Sequence, residues 1–252
     1  MELGLKGKKA IITGGSRGIG RAAAELLADE GVDIAFFSRN VEQVRETAAA
    51  LESRGVKTIA SPLDALDLDA YAAWLKDAAD KLGGVDIFIH GASSSGAGAV
   101  TDWDMTYALD IRGAVIGCET LQPYLAKSGE GSIILMSSTA ATETFFAPQA
   151  FNALKAALVT YGKQLSQAVA AEGIRVNCIS PGPIEFEGGN WVKTREAYPP
   201  AYEGTIAQQP FGRLGTPAEV ARAIAFVASP AASWITGVNL VVDGGFTKRV
   251  QL

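Results

Sequence analysis

Histidine and cysteine are scarce in this 252-residue chain, which has one His, His90, and two Cys, Cys118 and Cys178. Neither cysteine falls in a CxxC or Cys/His spacing, so no zinc site or disulfide framework is read. Both lie in apolar stretches and read as buried free thiols, which suits a reducing cytosol and a cytoplasmic protein. His90 closes an apolar run and reads as structural; no metal is expected. Long apolar runs are missing too. None approaches the ~18 residues of a membrane span, and residues 1–9 carry no signal-peptide h-region. Positive charge is in deficit, with 22 Lys and Arg against 27 Asp and Glu, a formal net charge of −5. Without a basic cluster there is no footprint for nucleic acid, and an acidic surface is not drawn to an anionic membrane. Repeats, linkers and low-complexity tracts are likewise missing.

What is present is apolar. Hydrophobic residues make up 48% and charged residues only 19%, enough to bury a sizeable core. Short apolar runs alternate with segments of helical period, the pattern of βαβ units around a parallel sheet. Strands are expected at 10–12, 34–37, 56–60, 85–90, 132–136, 176–179 and 239–242. Helices are expected at 16–30, 41–53, 68–82, 106–126, 149–171 and 217–228. Seven strands with short connections predict one doubly wound Rossmann-type domain over residues 1–252. The one long irregular stretch, about 183–213, reads as a substrate loop: a short helical lid between hinges at Gly188-Gly189 and Pro199-Pro200.

The run Thr13-Gly14-Gly15-Ser16-Arg17-Gly18-Ile19-Gly20 follows the first strand and opens the first helix, the setting in which a glycine pattern is informative. Gly14 suits a tight turn, Gly18 lets backbone approach a pyrophosphate, and Gly20 permits close helix packing, with helix N–H groups facing the phosphate. The second strand ends Phe37-Ser38-Arg39-Asn40 with no acid to accept from a ribose 2′-hydroxyl. Ser38, Arg39 and Arg17 instead suit a 2′-phosphate, so NADP(H) is the expected cofactor.

Together with Ser138 and the segment Phe151-Asn152-Ala153-Leu154-Lys155, this layout resembles the short-chain dehydrogenase/reductase family along essentially the whole chain. That family's signature is a serine followed by Tyr-x-x-x-Lys. The resemblance implies cofactor contacts from Gly14, Ser16, Arg17, Gly18, Ile19 and Gly20. It also implies contacts from Asp64 beside adenine, from Ala92, from Lys155 on the ribose, and from Pro181, Gly182 and Ile184 near the nicotinamide. It implies hydride transfer between nicotinamide and a ketone or secondary alcohol, with Ser138 on the substrate oxygen, and a homotetramer built through the helices at 106–126 and 149–171.

Three positions depart from the pattern. Phe151 stands where the family has its tyrosine acid/base, Asp110 where it has an asparagine, and His90-Gly91-Ala92-Ser93 where it has Asn-Asn-Ala-Gly. A phenol titrates near 10 and is brought toward working pH by a neighbouring cation; a phenyl ring has no proton to give. Three readings stay open: a tyrosine replaced in this chain, a proton path through Asp110 or a Lys155-held water, and an inactive NADP-binding protein. Asp110 also reads as a buried acid paired with Arg112 or backbone. Tyr161, ten residues past Phe151, is carried about 1000° around its helix and off the active face. Tyr198 and Tyr202 lie in the lid. Phe145, Phe146, Phe186 and Trp191 are expected to border a pocket for an apolar or ring-bearing substrate.

Overall fold

The computed structural model describes residues 2–94, 97–144 and 148–250, with the side chains of 97 and 98 left undescribed. Seven strands form one parallel sheet: β1 (Lys9–Thr13), β2 (Asp33–Ser38), β3 (Thr58–Pro62), β4 (Ile87–His90), β5 (Ser132–Met136), β6 (Arg175–Pro181) and β7 (Asn239–Val242). Their order is β3-β2-β1-β4-β5-β6-β7. The helices are α1 (Gly18–Asp29), α2 (Val41–Glu52), α3 (Leu68–Leu82), α4 (Ala97–Thr101), α5 (Trp103–Thr106), α6 (Gly113–Ser128), α7 (Ala150–Ala168), α8 (Asn190–Ala197), α9 (Pro199–Ala207) and α10 (Pro217–Ala228).

Side chains alternate between the two faces of a strand, and here each face is apolar. Ile12, Ile34, Phe36, Ile89 and Ile179 pack with α1, α2 and α10. Their neighbours Ile11, Ala35, Phe37, Phe88 and Cys178 pack with α3, α6 and α7 on the other side. Burial on both faces explains why these strands read as continuous apolar runs. The strand order reverses between β1 and β4, which pair in register from Ala10↔Ile87 to Thr13↔His90. In open α/β sheets, ligands bind beyond the carboxyl ends of the strands at this switch point.

Three expectations are corrected. The third strand runs two residues later than expected, because Ile34 pairs with Thr58 and Ser38 with Pro62. The predicted helix at 106–126 is not uniform. α5 passes into a π-helical turn, Tyr107–Arg112, before α6 begins at Gly113. The 183–213 stretch, expected to hold one short helical segment, holds two helices, with Pro199-Pro200 in the first turn of α9, where proline is favoured.

Candidate active site

The turns after β1 and β4 are built into one another. Thr13 Oγ1 accepts from the backbone N–H groups of Gly91 and Ala92, each at 2.9 Å. Gly14 adopts φ +74°, and a Cβ there would meet the Gly91 carbonyl oxygen at 3.1 Å. A Cβ on Gly20 would lie 2.3 Å from the Gly14 carbonyl oxygen. Glycine is therefore required at both points. α1 starts without a side-chain cap, so its first N–H groups are free to meet an anion. Arg17 is exposed and donates to the Gly188 carbonyl at 3.3 Å. Ser16 is buried, and its hydroxyl is spent on Gln43 at 3.3 Å. Ser38 ends β2 half-buried, Arg39 follows it exposed, and Asp64 is exposed just beyond β3.

A cleft of about 690 Å³ opens above these turns, lined among others by Ile19, Ser138, Phe151, Ile184, Phe186 and Trp191. A smaller chamber of about 160 Å³ reaches inward to Gly20 and Lys155. Ile19, Ser93, Ser137, Phe151 and Pro181 border both. Gly182 borders the larger cleft; a Cβ there would fall 2.7 Å from that of Asp243. Phe186 lies so close to Gly18 that a Cβ at Gly18 would touch its ring at 2.7 Å. Phe145 and Phe146 lie outside the described residues.

Lys155, one turn along α7 from Phe151, is buried. Its Nζ donates to the Met136 carbonyl at 2.6 Å and to Asp110 Oδ1 at 2.7 Å. The Phe151 ring centre is 5.4 Å from the same nitrogen. Asp110 is fully buried on the π-helical turn. It accepts from the Ser93 hydroxyl and, through Oδ2, from the Ser94 N–H at 3.0 Å. Burial alone would raise its pKa, but the charge and hydrogen bond of Lys155, with the Ser93 and Ser94 bonds, hold the carboxyl below its ordinary value. Its partner is thus Lys155 rather than Arg112. π-Turns recur at functional sites, and this one places an acid opposite a lysine 45 residues away in the chain.

His90 is buried, with Nδ1 3.3 Å from Thr13 Oγ1. Burial first, then the charge of Lys155, push it down to about 4, against weaker opposing pulls from Asp110 and the Leu109 backbone. It is neutral at pH 7. Tyr161 packs beside Cys118, where burial raises the phenol; Tyr202 donates to Glu185. Neither hydroxyl is bonded to Lys155 or Asp110. Ser138 keeps a half-exposed hydroxyl that accepts from the Ala140 N–H at 3.2 Å. The residue that motif reading passes over is Ser93. A hydroxyl at a position where the resembled pattern has glycine was the available signal.

The sequence profile described as enoyl-(acyl carrier protein) reductase matches residues 14–247. Isoepoxydon dehydrogenase of Penicillium expansum is 34% identical over 100% of this chain and 99% of its own. Cis-4-hydroxycyclohexanecarboxylate dehydrogenase of Sinomonas cyclohexanicum is 31% identical over 94% and 96%. The crystal structure of L-sorbose reductase from Gluconobacter frateurii, complexed with NADPH and L-sorbose, superposes with a TM-score of 0.89 at 31% identity, covering 99% of this chain and 100% of that one. With the glycine turn, the parallel sheet, Ser138 and Lys155 already in place, this places the chain in the short-chain dehydrogenase/reductase family.

Proposed function

We propose that the chain is an NADP(H)-dependent oxidoreductase that interconverts a ring-bearing secondary alcohol and its ketone. The observation carrying this reading is the cradle at the switch point: an uncapped helix N-terminus behind glycines that tolerate no Cβ. The donor set fits a dinucleotide. Backbone from Gly14 to Gly20 would hold the pyrophosphate. Arg17, Ser38 and Arg39, with no acid at the end of β2, suit a 2′-phosphate. Asp64 would lie beside adenine, Lys155 beside the ribose, and Ala92, Pro181, Gly182 and Ile184 beside the nicotinamide. The bound nicotinamide supplies a hydride or takes one. The NADPH in the L-sorbose reductase crystal supports the cofactor choice, and a relative named for a hydroxycyclohexane substrate supports a ring.

The chain's own residues divide the remaining work. Ser138 presents its hydroxyl to the substrate oxygen, and Lys155 fixes positive charge beneath the site. Phe151 occupies the place of the acid/base and has no proton to move. Phe186 and Arg17 tie the 183–213 stretch onto the phosphate surface, so it acts as a lid that yields when the cofactor enters. Trp103 and Tyr107, left exposed ahead of α6, support a homotetramer through α6 and α7, and two buried free thiols support a cytoplasmic setting.

NADPH oxidation in the presence of cyclohexanone, by the chain and by its Phe151→Tyr variant, tests the reading. Restoring the phenol is expected to raise turnover, by about 10²–10⁴-fold where no other group in the site moves the proton and by less where one does. A chain that fails to bind NADPH sinks it. Binding without turnover in both proteins selects an inactive NADP-binding protein, a reading favoured by the Lys155–Asp110 pair that already occupies the lysine.

A further inference from the structure

The positions at which this chain departs from its family are joined to one another. Ser93 donates to Asp110 Oδ1, and the same oxygen takes Lys155 Nζ at 2.7 Å. His90, neutral and buried, lies close enough for Lys155 and Asp110 to act on its titration. Phe151 closes the other side of Lys155. Ser93 also stands where the large cleft and the inner chamber meet, so its oxygen is open to a bound molecule; of the two acceptors within its reach, Asp110 Oδ1 is nearer than the Ser94 carbonyl oxygen at 3.3 Å. The other serines of the cleft are placed differently: Ser137 donates to the Lys155 carbonyl at 3.0 Å, Ser138 accepts from backbone, and the Ser94 hydroxyl is buried with no partner among the described residues. Among the described residues lining the cleft, Ser93 is the hydroxyl bonded to a carboxylate.

We propose that Ser93 is a catalytic hydroxyl which, backed by Asp110 and Lys155, moves the substrate's proton in place of the missing phenol. The inference rests on the oxidoreductase reading above. In the oxidising direction the substrate O–H bond breaks toward Ser93 Oγ as the Ser93 O–H bond breaks toward Asp110 Oδ1. The hydride of the same alcohol carbon leaves for the oxidised nicotinamide dinucleotide. The products are a ketone, the reduced dinucleotide and a protonated Asp110, and Ser93 is regenerated with a new proton. In reduction the same path runs backward, and the alkoxide receives a proton that Asp110 first takes up from solvent. The buried carboxylate, kept ionised by Lys155, is free to accept, and the ammonium beside it, by favouring the ionised form, promotes release of the proton after transfer. The charged and titratable groups facing Asp110 are Lys155 from α7 and His90 from β4. His90 is neutral at working pH and does not compete for the proton.

The test is a double-mutant cycle on cyclohexanol oxidation with NADP⁺, using Ser93→Ala in the chain and in its Phe151→Tyr variant. In the parent chain the substitution is expected to lower kcat by about 10²–10⁴-fold. In the Phe151→Tyr background, where a phenol reclaims the task, the cost is expected to fall below about tenfold. NADP⁺ binding, followed by tryptophan fluorescence, is expected to survive in Ser93→Ala, which separates loss of the relay from loss of fold. Equal costs in both backgrounds overturn the relay, as does turnover confined to the Phe151→Tyr variant. A chain without NADP⁺ binding, or without turnover in either background, instead removes the oxidoreductase reading on which the relay stands.

Discussion

Lys155 has three ammonium protons, and two are committed inside the fold, to the Met136 carbonyl at 2.6 Å and to Asp110 at 2.7 Å. At most one remains for a ribose hydroxyl. Its positive charge is compensated within the protein before any ligand arrives. Both partners are almost entirely buried, with side-chain exposures of 3% and 0%. Such a pair is weak evidence of net stability, but removing one member leaves the other charge stranded in low dielectric. Asp110→Ala is therefore expected to cost about 3–5 kcal/mol, read as a lowered urea midpoint with an unchanged slope. Asp110→Asn keeps the volume and the bond from Ser93 and should cost less. An Asp110→Ala protein as stable as the parent would show that Lys155 finds water or another acceptor instead.

At the scale of elements, the glycine turn and α1 form one unit. The Gly20 position meets the Gly14 carbonyl oxygen at 2.3 Å if a Cβ is added, and neither atom is the end of a flexible side chain. Gly20→Ala must push α1 off the turn. A destabilisation of about 1–3 kcal/mol is expected from such overpacking, with loss of NADPH binding measured by fluorescence titration. Unchanged affinity would mean that the turn does not hold the pyrophosphate. This unit was legible in the sequence because its signal is local: strand, glycines and helix follow one another directly. The central strands were legible because both faces are buried; β4, for example, is wholly buried in Ile87–His90, whereas the edge strand β3 is only partly buried. The π-turn at Tyr107–Arg112 was not, since nothing in Tyr-Ala-Leu-Asp-Ile-Arg breaks a helical period. Its widening answers to tertiary contacts, with Tyr71 donating to the Gly113 carbonyl at 3.1 Å and Asp110 seated on Lys155. Ser93 was hidden for the same reason. Its role follows from a partner 17 residues away that only the fold brings within bonding distance.

For the whole molecule, His90 couples the site to acid stability. It sits at the centre of the sheet, at the end of β4 beside the switch point, and is buried with Nδ1 near Thr13. Its folded pKa is pushed down to about 4, whereas an unfolded histidine titrates near 6.5. A depressed folded pKa means that the unfolded chain binds the proton first. The contribution is therefore constant above about pH 6.5 and is lost as pH falls toward 4, by roughly 3 kcal/mol in all. Asp110 acts in the same sense further down. Its folded pKa is also lowered, so its share is present above the unfolded value near 3.9 and lost as pH falls through the folded one. The two windows barely overlap, and this separates them experimentally. Urea midpoints of the parent and of His90→Asn, taken from pH 7 to 4, should converge as acid is added: the variant lacks the proton uptake that weakens the parent, and its curve is flatter across that window. Parallel curves would mean that His90 takes up a proton in the folded state as readily as in the unfolded one, which would in turn require water or a moving carboxylate beside its ring.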